Sequence, residues 1–104
     1  MMSRSVVLLP RTARHVWPPK DPAERRIEYA VDWTARLADG DALAASTFAL
    51  PSGLVAENAS NTDKVATVQI SGGAAGQAYE IVNRVTTAKG AELEQAIRLR
   101  VKTR

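Results

Sequence analysis

Within residues 20–37, KDPAERRIEYAVDWTARL, apolar side chains occupy every second position: Ile27, Tyr29, Val31 and Trp33 point one way, and Glu28, Ala30, Asp32 and Thr34 the other. This period of two is that of a β-strand with one buried face, because successive side chains of an extended chain leave opposite sides of the backbone. The pattern recurs downstream. Ser46, Phe48 and Leu50 alternate with Ala45, Thr47 and Ala49 and stop at Pro51-Ser52-Gly53. Residues 54–57 predict a short strand closed by the polar run 58–63. Residues 65–71, VATVQIS, are rich in β-branched side chains and end at Gly72-Gly73. Tyr79, Ile81, Asn83 and Val85 alternate again before Lys89-Gly90.

Two segments read both ways. Residues 34–45 are alanine-rich and have helix propensity, but Gly40 and two aspartates interrupt them. In the last segment Leu93, Ile97 and Val101 satisfy helical spacing, whereas Leu99 and the alternating Arg98, Arg100 and Lys102 favour a strand. Six or seven short strands punctuated by turns predict an antiparallel sandwich or barrel. The expected core is Ile27, Tyr29, Val31, Trp33, Phe48, Leu50, Val68, Ile70, Tyr79, Ile81, Val85, Ile97, Leu99 and Val101.

A chain of 104 residues fits one compact domain. It has no cysteine, which removes disulfides, thiolate nucleophiles and cysteine-ligated zinc together. The apolar run at residues 6–9 ends at Pro10, far short of the ~20 residues that span a bilayer. Cytosolic production without a membrane anchor is expected.

Residues 1–19 read as an extended N-terminal arm outside a domain of residues 20–104. Pro10, Pro18 and Pro19 remove backbone donors and favour extended conformations. The short run 6–9 could add as a strand to a sheet edge, its own or a partner's. Charge is polarised: residues 1–20 hold Arg4, Arg11, Arg14 and Lys20 without an acid, and residues 95–104 hold Arg98, Arg100, Lys102 and Arg104 without an acid. Six basic and eleven acidic residues share the middle. Basic ends on an acidic body suit docking onto acidic neighbours. The expected partner-binding arm residues are Arg4, Val6, Val7, Leu8, Leu9, Arg11, Arg14, His15 and Trp17, with removal of residues 1–19 leaving a folded domain. Nucleic acid is disfavoured because the C-terminal basic residues are not interleaved with aromatics.

No reaction centre is visible. His15, the one histidine, has no companion ligands and reads as an exposed contact residue. Asp32 is expected to hydrogen-bond a neighbouring strand or loop, and Trp33 to plug the core. Asp39-Gly40-Asp41 lacks the spacing and terminal glutamate of a calcium loop and reads as a hairpin turn. Ser71-Gly72-Gly73 with Gly76 has no lysine and helix behind it to cradle phosphate. No cofactor and no metal are expected.

In order, K-D-P, Y-x-V-D-W-T-A-R-L-A-x-G-D, S-T-F-x-L-P-S-G-L, S-N-T-D and S-G-G-x-A-G-Q-x-Y-x-I-x-N-R-V-T-T resemble small bacteriophage structural proteins, the fiber-tail adaptor family. The resemblance runs from Lys20 to about Val101, leaves the arm uncovered, and departs at residues 91–95. It implies an immunoglobulin-like β-sandwich serving as a virion part: an adaptor or decoration module that joins tail or neck components to fibres. Its implied partners are other phage tail, neck or fibre proteins, in a multimeric assembly. The competing expectation is a free carbohydrate- or host-surface-binding module, for which Trp17 would be the spare exposed ring.

Overall fold

The computed structural model describes residues 4–7 and 15–103. Its strands are β1 (Arg4–Val7), β2 (Ile27–Asp32), β3 (Leu43–Ala49), β4 (Leu54–Asn61), β5 (Val65–Gly72), β6 (Ala78–Thr87) and β7 (Glu92–Arg100). A single 3-10 turn, Thr34–Arg36, is all that the alanine-rich segment contributes to helix. The strands form two sheets, in the orders β1-β2-β5-β4 and β3-β6-β7. Counting from β1, this is the strand order of a constant-type immunoglobulin sandwich.

The alternating faces produce this arrangement directly. In the β2–β5 ladder Ile27 lies opposite Ile70, Tyr29 opposite Val68 and Val31 opposite Ala66. In the β6–β7 ladder Ile81 lies opposite Ile97, and Tyr79 opposite Leu99. Tyr29, Val31, Trp33, Val68, Ile70, Ile81, Val85, Ile97, Leu99 and Val101 are buried, while Ile27, Phe48, Leu50 and Tyr79 are partly buried against them. Trp17, Leu43, Leu54 and Ala66 complete the cluster. The last segment is a strand along its whole pairing with β6, which excludes the helical alternative.

Three local expectations are corrected. The polar run 58–63 does not close β4, which continues through Asn61. Asn58 turns to φ 52°, pairing resumes with Ser60 opposite Thr67, and those two hydroxyls bond at 2.9 Å. A bulge thus absorbs the polar residues without ending the strand. The turn at Asp39-Gly40-Asp41 is not a hairpin, because it carries the chain from the sheet of β2 to that of β3. The third correction concerns the arm. Trp17 is 1% exposed and His15 is 5% exposed, so neither is a free contact residue.

The reason lies at the open edge of β7. Arg98 N donates to His15 O, Trp17 N to Arg98 O, Lys20 N to Arg100 O and Lys102 N to Lys20 O, at 2.9–3.0 Å. Pro18 and Pro19 occupy the positions between two donating residues, where no N–H is required. That pairing swings the Trp17 ring inward, onto Tyr29 at 4.9 Å and Phe48 at 6.5 Å, with Nε1 donating to Ala30 O at 2.8 Å. β1 lies on the neighbouring edge, parallel to β2, with Val6 partly buried against the core. Leu8, Leu9, Arg11 and Arg14 lie outside the described residues, as does the side chain of Val7.

Candidate protein interface

Where the N-terminal segment meets the sandwich, charged groups converge. Arg4 donates to Pro19 O, to Tyr29 Oη and to both carboxylate oxygens of Glu24, the closest at 2.7 Å. Glu24 also accepts from Asp21 N at 2.8 Å. The bond to Glu24 raises the Arg4 pKa; burial opposes this less strongly, and Tyr29 adds to the rise. Arg4 therefore pins β1 to the K-D-P turn and is committed to the fold in this state.

Lys20 is fully buried. Its ammonium donates to Gly72 O at 2.8 Å and Asp21 O at 2.9 Å, capping carbonyls at the end of β5 and in the turn. Desolvation lowers its pKa, a tendency that Glu24 and Asp21 oppose. Beside it, Gly72 and Gly73 have φ near +90°; a Cβ on Gly72 would lie 2.7 Å from Gly53 O, and one on Gly73 2.7 Å from a Val101 methyl. These glycines are required by close backbone approach. Tyr79, near the start of β6, accepts a bond from Ala74 N at 2.9 Å, the arrangement of an immunoglobulin tyrosine corner.

The carboxylates are equally occupied. Asp32 Oδ1 accepts from Thr34 N and Thr34 Oγ1, fixing the turn after β2. For Asp41, burial disfavours the charge, but hydrogen bonds from Thr87, Ala42 N and Lys89 N outweigh it and hold the carboxyl below its usual range. A cleft of about 380 Å³ lies beside His15 and Val16, over Ala78, Glu80, Ala96 and Arg98 on β6 and β7. Glu80 and Arg98 face one another in register there, as do Arg84 and Glu94, which are bonded at 2.6 Å. Such cross-strand pairs stabilise a sheet surface. Among the described residues no group of three His, Asp or Glu side chains could hold a metal, and no helix is long and apolar enough to cross a membrane.

Of the residues expected in a partner-binding arm, the structure places Arg4, Val6, His15 and Trp17 against the domain. With Trp17 buried, no ring in the arm offers a platform for a sugar. The side chains on which the turns depend, Lys20, Asp32 and Tyr79, lie within the motifs, but the sequence marked Lys20 only as a basic residue and Tyr79 only as core. What the sequence did not reveal was that Arg4 reaches Glu24 and Tyr29, because that contact depends on the parallel placement of β1.

Fold and polar network together describe an immunoglobulin-like β-sandwich in which Lys20, Asp32 and Tyr79 hold turns and strand ends. Residues 20–100 match the podophage GP4 fiber-tail adaptor protein gp77 family, and the chain belongs to that family of phage structural proteins. No curated protein matches it. The matched region opens at Lys20, the residue that caps β5, and spans every turn described above.

Proposed function

We propose that the chain is a non-enzymatic adaptor of the phage virion, present in several copies and linking tail or neck components to fibres through protein–protein contacts, after assembly in the host cytoplasm. The observation that carries this reading is the family match over residues 20–100. The hydrogen-bonding described above supports it, since the candidate acids and the histidine are buried or engaged in turns rather than gathered around a reactive group. The acid-free N-terminal segment supplies the docking charge: Arg11 and Arg14 meet an acidic surface on a neighbouring virion protein, while Arg4 and Trp17 anchor the segment to its own domain. Nucleic acid is disfavoured as the partner: the basic residues of the last strand are not interleaved with aromatics, and Arg84 is paired with Glu94.

The test is complementation of a phage lacking this protein, with purified particles assayed for its presence. Wild type is expected in the particle. Arg11→Glu with Arg14→Glu is expected to fold with unchanged thermal stability and to be missing from it. Normal incorporation of the double variant would remove the role of the arm; absence of the wild-type chain from complete particles would remove the adaptor reading.

A further inference from the structure

Ile81, Asn83 and Val85 of β6 are buried, so Glu80, Val82 and Arg84 between and beside them stand on the outer face of the β3-β6-β7 sheet. On β7 the outward side chains are Glu92, Glu94, Ala96, Arg98 and Arg100, alternating with the inward Leu93, Ile97 and Leu99. Strand pairing sets Ala49, Val82 and Ala96 in one row across the three strands. Glu80 lies beside Arg98 on one side of this row, and Arg84 beside Glu94 on the other.

The charges on this face change sign across the row. Two residues to either side of Val82 stand Glu80 and Arg84, and two to either side of Ala96 stand Glu94 and Arg98. The next outward pair on β7, Glu92 and Arg100, repeats the reversal. Among the described residues Glu80, Glu92, Arg98 and Arg100 make no ion pair, so their charges are open to a second molecule.

A two-fold contact requires a surface to complement itself, and a sign reversal about a line of small apolar residues meets that requirement. When the sheet packs face to face on its own copy, about an axis that crosses the strands along the row, each strand runs antiparallel over itself. Val82 and Ala96 then lie over their counterparts, Glu80 over the second copy's Arg84, Glu94 over the second copy's Arg98, and Glu92 over the second copy's Arg100. An axis along β6 would set Glu80 on Glu80, and one along β7 would set Glu94 on Glu94. A partner of different sequence places no such demand on the face. Stacked sheets lie about 10 Å apart, a gap that the small side chains of the row permit and that opposed Glu and Arg side chains span. The same placement carries the Arg84–Glu94 pair of one copy to the cleft of about 380 Å³ over Glu80 and Arg98 of the other.

We propose that the outer face of β3-β6-β7 is the contact surface of a symmetric dimer, two copies packed face to face and antiparallel about the row of Ala49, Val82 and Ala96.

Sedimentation of the purified full-length chain over a range of concentrations tests the proposal. Wild type is expected to dimerise reversibly, and less tightly as salt rises. Glu92→Arg and Arg100→Glu, each alone, oppose like charges twice in every dimer and should weaken association about tenfold or more. Glu92 lies opposite Thr86 and Arg100 opposite Ala78, so neither change breaks an ion pair within the chain, and thermal unfolding of the monomer should be unchanged. The double variant should recover association, because its reversed charges meet again across the axis. General destabilisation cannot produce that recovery, nor can contact with an unrelated surface. Ala96→Arg, which sets one guanidinium over another at the axis, should abolish the dimer and decides the matter if either charge variant fails to fold. A monomeric wild type, a dimer indifferent to these substitutions, or a double variant no tighter than the single ones would overturn the proposal. The adaptor reading is tested by incorporation into particles and stands or falls separately.

Discussion

Nε1 of Trp33 donates to Oδ1 of Asn83 at 2.8 Å, a buried bond from the end of β2 in one sheet to the middle of β6 in the other. The Asn83 amide nitrogen in turn donates to Ser46 Oγ and Thr47 O on β3, each at 2.9 Å. In antibody domains a disulfide joins the corresponding two strands. This chain has no cysteine, and here a polar side-chain pair links them.

Asn83→Ala should destabilise the domain by about 1–3 kcal/mol, because it leaves the indole N–H buried without its partner. Trp33→Ala should cost about 3–5 kcal/mol through the cavity it opens, whereas Asp32→Asn, at the partly exposed turn, should cost much less. Denaturant unfolding checks all three. A double-mutant cycle with Trp33→Phe should show coupling of at least about 0.5 kcal/mol; additive losses would mean that the bond contributes nothing.

Trp17→Ala should lower stability by about 3–5 kcal/mol despite lying upstream of the family match. Removal of residues 1–19 should accordingly unfold the domain or leave it with expanded, loosely packed character, contrary to what an independent arm would allow. Near-ultraviolet circular dichroism of the truncated chain, compared with its far-ultraviolet spectrum, distinguishes these outcomes from an intact core.

Asp41 should contribute to the acid limb of the stability curve. Its carboxyl is held below the unfolded value of about 3.9, so the folded state binds fewer protons. Its contribution is complete above that value and is lost as pH falls through the depressed folded value. Asp41→Asn should flatten the fall in stability below pH of about 4, with little further loss there. An unchanged acid limb would place the responsible group elsewhere.

Gly72→Ala and Gly76→Ala separate close approach from backbone conformation. Both residues have positive φ, but a Cβ at Gly72 would meet Gly53 O at 2.7 Å, whereas none at Gly76 would meet an atom within 4 Å. The Gly76 variant should lose about 1 kcal/mol and the Gly72 variant several times that, as measured by thermal unfolding.

Alternation made the two-sheet character and most of the interior legible, because the inward residues of β2, β5 and β6 follow a strict period of two. Asn83 shared that face with Ile81 and Val85, so its inward direction could be read, but its partner could not. The bulge at Asn58 was hidden, since polar residues end a strand unless the neighbouring strand continues to pair with them. Arg4 and Glu24 stand far apart in sequence, and no local pattern joins them.

The amino-acid order by itself determined most of the strands, the apolar faces of β2, β5 and β6, the break at Gly72-Gly73, and the ordered motifs that mark the family. It could do so because these depend on neighbouring residues and on the geometry of an extended chain. Only the tertiary structure decided the standing of residues 15–20. Their prolines and basic neighbours resemble those of a free arm, yet the unpaired edge of β7 supplies hydrogen-bonding partners and draws Trp17 into the core. The same rule governs β3, whose uncharged sequence is that of an interior strand and whose place at an edge is set by the pairing of the rest.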